Sequence, residues 1–334
     1  MIQKPPISDQ SIIECLNTYY DINVTALTFL PLGADENAAV YKAHTQDSSY
    51  FVKLKRDHNE IGVIIQTLLH EAGIKPIISP VKTNTGQLTQ HVHDFTVIVY
   101  PFIEGQDGFS CALTNGQWIT LGQSLRLVHA FDVPPVIKNQ IKQETYCPKW
   151  REAVRSVYAH IDDQSIHGDD ITLQLLTFMK EHKNIIQRLV DRAEQLAHKI
   201  QTQSPQMVLC HADIHGGNVL IENDDTFYIV DWDQPIMAPK ERDLMFIGGG
   251  VGNVWNDPHE VELFYLGYGK TEIDRDILAY YRHERIVEDI AFYAQALLLT
   301  IDGGQDRPVM YKHFMDMFEP RGVVEIAFAS DTTI

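Results

Sequence analysis

The sequence predicts an α+β fold in two lobes, a small one built on an antiparallel sheet and a larger, mainly helical one. Three observations lead there. At 334 residues the chain is longer than a single hydrophobic core usually serves. Strand-like alternation is concentrated between residues 24 and 101, whereas helical stripes dominate from about 114 to 299. One further strand-rich stretch, 208 to 233, interrupts the helices and gathers polar residues at its turns.

Taken in order, residues 8 to 20 carry Ile12, Ile13, Leu16, Tyr19 and Tyr20 at helical spacing, with Ser8 or Asp9 as cap. Residues 28 to 43 read as strand, Gly-containing turn and strand, and 49 to 55 as the next strand. Lys53 and Lys55 lie on one face of that strand, so alternation alone does not choose between them. A Lys directed inward from an apolar strand needs an anion to offset its desolvation. Residues 59 to 72 form an amphipathic helix through Ile61, Ile64, Ile65, Leu68 and Leu69, with Glu60 near its start. An apolar strand then runs into Tyr100 and Pro101, where pairing ends. Thr114 to Gln117 is a capping-box pattern opening a helix with Trp118, Leu121, Leu125 and Val128. Residues 150 to 161 and 172 to 201 read as two more helices, and 277 to 299 as another. Glu284 and Glu288 share a face of that last helix. They face either solvent or a cationic ligand.

The stretch 208 to 233 carries the chemistry. Two apolar runs flank the polar cluster His211, Asp213 and Asn218, and the following strand closes on Asp231. Single Asp and Asn residues usually mark turns. The joint spacing suits phosphoryl transfer, in which one carboxylate accepts the proton of an incoming hydroxyl. An amide oxygen and a second carboxylate then hold Mg²⁺ on nucleotide phosphates.

The run from His211 through Asp213, Gly216, Gly217 and Asn218, followed by Ile229, Val230, Asp231, Trp232 and Asp233, resembles the aminoglycoside phosphotransferases. Residues 238 to 256 and 280 to 290 resemble that family's spectinomycin branch. The resemblance implies a protein-kinase-like fold, with a nucleotide-binding lobe over residues 1–103 and a catalytic and substrate-binding lobe over 104–334. It implies ATP and Mg²⁺ as cofactors, Asp213, Asn218 and Asp231 as catalytic residues, and Asn218 and Asp231 as metal ligands. Of the two strand lysines it favours Lys53 as the phosphate contact, with Glu60 as its partner. Gly33 and Asn37 would belong to the loop over the phosphates. Backbone groups of Tyr100, Pro101, Phe102 and Ile103 would hold the adenine edge. Asp233, Asp243, Trp255, Glu284 and Glu288 are the candidates for contact with substrate, and Asp243 is also a candidate brace of the catalytic loop.

The expected function is therefore phosphorylation of a hydroxyl on a cationic aminocyclitol, spectinomycin first. The alternatives are a kinase of choline, homoserine or a sugar, and a catalytically silent nucleotide-binding module. His-Ala-Asp, Asp-Trp-Asp and the lack of a G-x-G-x-x-G loop argue against a protein kinase. The glycines at 248 to 252 follow no strand and precede no Lys-Ser/Thr, which excludes a P-loop.

Composition narrows the partners. With 45 acidic against 27 basic residues the formal charge is −18, which opposes nucleic acid and anionic membranes and favours a cation. The four cysteines lack metal or disulfide spacing, and no secretory or membrane-spanning run is present, so a cytoplasmic protein without an obligatory protein partner is expected.

Overall fold

The computed structural model describes residues 4–32, 37–56, 59–163, 166–300 and 306–331. The chain order is α1 (Asp9–Tyr19), β1 (Ala26–Leu30), β2 (Ala38–His44), β3 (Ser49–Lys55), α2 (Ile61–Glu71), β4 (Gln90–Val92), β5 (Phe95–Pro101) and β6 (Gln106–Asp107). Next come α3 (Asn115–Ala130), α4 (Pro135–Lys138), β7 (Lys142–Gln143), α5 (Lys149–Asp162), α6 (Asp170–Glu181), α7 (Lys183–Gln201) and β8 (Val208–Cys210). The remainder is β9 (Val219–Ile221), β10 (Phe227–Ile229), β11 (Ile236–Ala238), α8 (Glu241–Leu244), α9 (Pro258–Tyr268), α10 (Arg275–Leu298), α11 (Arg307–Asp316) and α12 (Val323–Ser330).

The chain forms two compact units. The first comprises Met1–Gln117, Pro134–Ile141 and Asn218–Pro235. Its main sheet is antiparallel, in the order β1-β2-β3-β5-β4, and Lys53 stands opposite Ile98 in the centre. Ser8 caps α1 by accepting the Ser11 N–H, and α1 buries Ile12, Cys15 and Leu16 against Tyr41, Val52, Leu54 and Val97 of the sheet. A second small sheet, β10-β9-β6, carries the hairpin that ends at Asp231. At the start of α2, a Cβ on Gly62 would lie 2.1 Å from the Trp232 carbonyl oxygen, so only glycine admits that segment so close.

The second unit comprises Trp118–Val133, Lys142–Gly217 and Ile236–Ile334. Its core joins α5, α6, α7, α10, α11 and α12, with α10 burying Ile286, Val287, Ile290, Ala291, Ala294 and Leu297. A short sheet, β7-β11-β8, leads into the loop that follows Cys210.

Most elements lie where periodicity places them, and the Thr114 capping box forms reciprocally, Gln117 N–H to Thr114 Oγ1 and Thr114 N–H to Gln117 Oε1. The single helix expected over 172 to 201 is instead two, broken at His182, whose backbone leaves helical geometry while its ring stacks on Phe178 at 3.8 Å. Among the described residues no helix is long and apolar enough to cross a membrane.

Candidate active site

Strand β8 pairs with β11, and the chain then turns sharply, with Ala212 at φ +75°. Buried Asp243 of α8 makes this turn possible. Its carboxylate accepts the His211 N–H at 2.9 Å and the Ala212 N–H at 2.7 Å. One oxygen also lies 3.1 Å from His129 Nε2, and His129 Nδ1 lies 2.8 Å from the Tyr268 hydroxyl. Burial raises the Asp243 pKa, but His129, His211 and the Ala212 N–H outweigh it and hold the group below the usual range. His129, Cys210 and Asp243 bring ligand-type atoms within 4.8 Å of one another, yet the carboxylate is already committed to the loop. Asp243 therefore braces the loop.

The same turn delivers Asp213. Arg285 of α10 donates to its Oδ1 at 2.6 Å, and His215 Nε2 lies 3.4 Å from its Oδ2. His215 Nδ1 accepts the Gly217 N–H, which leaves the imidazole proton on the nitrogen that faces Asp213. Burial works to raise the Asp213 pKa, but His215 and Arg285 dominate and depress it far below the ordinary carboxylate range. Arg285 also donates from Nε to Asp289 at 3.2 Å, and its guanidinium lies 5.8 Å from the Phe246 ring centroid.

In the first unit, the Val230 N–H donates to the Asn218 carbonyl at 3.0 Å, fixing both ends of the β9–β10 hairpin. Asp231 follows in the left-handed region at φ +61°, with its side chain about half exposed. Lys53 Nζ donates to Asp231 Oδ1 and to Asp233 Oδ2, each at 2.8 Å, and Lys55 Nζ reaches the same Asp233 oxygen at 2.5 Å. Burial pulls the Lys53 pKa down, but the two carboxylates more than reverse it. Asp233, also desolvated, is held at about 2 by the two lysines. The Asn218 amide and the Asp231 carboxylate are all-oxygen donors tied to one hairpin, a set that fits Mg²⁺.

The remaining expectations divide. Glu60 accepts a hydrogen bond from Thr89, so its carboxylate is not on Lys53. Asp233 sits with the lysines, and both ammonium groups converge on it. Trp255 is buried edge-on against Trp118 at 5.1 Å and serves packing. Glu284 pairs with Arg151 at 3.3 Å, and burial, reinforced by Glu288 and Glu144, raises it to about 7 against the pull of Arg151. Burial raises Glu288 as well. Tyr100 donates to Gln66 at 2.9 Å, and the Phe102 N–H is taken by the Ser49 carbonyl. Asn37 is exposed and its carbonyl accepts the Arg56 N–H, while Gly33 lies outside the described residues. Sequence reasoning missed Arg285 and His215 as partners of Asp213. Only a conserved spacing between Asp213 and Arg285 across relatives would have flagged that pair.

The chain is similar to proteins of known activity. A structure of spectinomycin phosphotransferase APH(9)-Ia in complex with ADP and spectinomycin is 48% identical, with a TM-score of 0.91 over 98% of this chain and 99% of that one. An AMP-bound structure of spectinomycin phosphotransferase APH(9)-Ia is 47% identical, with a TM-score of 0.87 over 98% and 100%. Protein StrN of Streptomyces griseus is 24% identical over 73% of this chain and 76% of its own length. The model of the phosphotransferase enzyme family matches residues 28–278, well over half of the sequence, and the chain belongs to that family.

Proposed function

We propose that the protein transfers the γ-phosphoryl group of ATP, with Mg²⁺, to a hydroxyl of spectinomycin, and that it does so in the cytoplasm. The observation that carries the substrate is the 48% identity, over nearly the full chain, to a phosphotransferase solved with ADP and spectinomycin.

The residues support the chemistry. Lys53 would contact the nucleotide phosphates, and the Ile103 N–H with the carbonyls of residues 101 to 103 would face the adenine edge. Asn218 and Asp231 would hold Mg²⁺, which supplies charge neutralisation on the β- and γ-phosphates. Asp213 would accept a hydrogen bond from the substrate hydroxyl and aim its oxygen at the phosphorus. Paired with Arg285, Asp213 is a weak base, which suits a loose transition state in which the proton leaves late. Glu284 and Glu288 would then meet the substrate's ammonium groups, and a bound dication would favour their ionised forms.

Mass spectrometry of spectinomycin, kanamycin, choline and homoserine incubated with ATP and Mg²⁺ tests this. A single phosphoryl group gained by spectinomycin is the expected result. Efficient phosphorylation of kanamycin with no spectinomycin product would overturn the substrate assignment.

A further inference from the structure

In kinase-like folds a glutamate on the helix after the lysine strand orients the phosphate-binding lysine. Helix α2 of this chain supplies none. Its only acid, Glu71, is exposed at the C-terminal end and bonds Lys82 at 3.2 Å. Glu60, just before the helix, is bonded to Thr89. The buried polar residues of α2 are uncharged: Gln66 accepts from Tyr100, and Thr67 donates to the Val63 carbonyl.

What comes close to α2 instead is backbone. Gly62 leaves the space into which the Trp232 carbonyl fits, and the Trp232 indole N–H is anchored to the Ile229 carbonyl at 3.1 Å. The next residue, Asp233, is thereby fixed with its carboxylate on Lys53. Lys55 on the same oxygen balances the cluster, two ammonium groups against the carboxylates of Asp231 and Asp233. Were Asp231 to hold a metal ion, Lys53 would keep one carboxylate partner.

Resting on the nucleotide reading above, we infer that Asp233 is the positioning residue for Lys53, taking the part that a helix glutamate plays elsewhere in this fold. Lys55 is the counter-ion that keeps Asp233 in place while Lys53 turns to phosphate.

A double-mutant cycle on ADP affinity, read by titration calorimetry with the full-length protein, tests this. Asp233→Asn should weaken ADP binding ~10-fold, the scale of a lost charge-assisted bond of about 1.4 kcal/mol. It should also raise KM for ATP with little change in spectinomycin affinity. In a Lys53→Met background the same substitution should add less than about twofold, because the role runs through Lys53. A full tenfold loss in that background, or wild-type ADP affinity for Asp233→Asn, would overturn the inference. Asp233→Ser replaces Asp233→Asn in the cycle if the latter does not fold. Absence of ADP binding by the wild type would remove the nucleotide reading itself, a result distinct from failure of the cycle.

Discussion

Asp213 is a carboxylate held between a guanidinium and an imidazole, and its environment sets what it does. Asp213→Asn keeps the shape and removes the charge. Turnover should fall ~10²–10⁴-fold with ADP affinity unchanged, as steady-state kinetics and calorimetry would read. Because His215 and Arg285 depress the Asp213 pKa, a wild-type acid limb of kcat/KM set by this group should lie below the usual carboxylate range. Arg285→Gln should bring that limb upward, leaving His215 opposite the carboxylate and Asp289 and Glu288 on α10; an unmoved pH profile would contradict it. Glu284 behaves in the opposite sense. Folded, it keeps its proton up to about 7, whereas the unfolded chain loses it near 4.5. The native state therefore binds more protons in this window, and stability falls as pH rises through it. The loss is of order 3 kcal/mol at most, from about 1.4 kcal/mol per pKa unit. Glu284→Gln should flatten this dependence in urea unfolding at pH 5 and pH 8.

Among elements, the contact of α2 with the segment after β10 is open to disruption by a single change. Gly62→Ala would place a methyl against the Trp232 carbonyl and force one backbone segment to move. A destabilisation of ~1–3 kcal/mol is expected, together with weaker ADP binding, because Asp233 moves with Trp232. Thermal melts and ADP titration check both. Most elements were legible because their signals are local: the alternation of β3, the stripe of α10, the Thr114 cap. The break at His182 was not, because Leu175, Met179, Ile186 and Val190 keep helical spacing across it. Asp213, Asn218 and Asp231 stand out in the sequence as candidates because they crowd into one short stretch. The partners Arg285, Asp233 and Asp243 were harder to place, since pairing across many residues leaves no periodic trace. The packing of Trp255 was hidden for a related reason, since its partner, Trp118, stands far away in sequence.

At the scale of the molecule, the charge of −18 sets a field that draws cations. KM for spectinomycin should rise severalfold between low and about 0.5 M salt as the Debye length contracts; a flat response would assign that binding to short-range contacts alone. The two compact units also divide the polar work between them. Lys53, Asp231 and Asp233 satisfy one another within the first, and Asp213, Arg285, Asp243 and His129 do so within the second. Neither group depends on the other's ligand to neutralise its charges. The kinetic order of addition should therefore be random. ADP and spectinomycin should each bind the unliganded protein in calorimetry, and initial-rate plots with both substrates varied should intersect, with no compulsory first ligand.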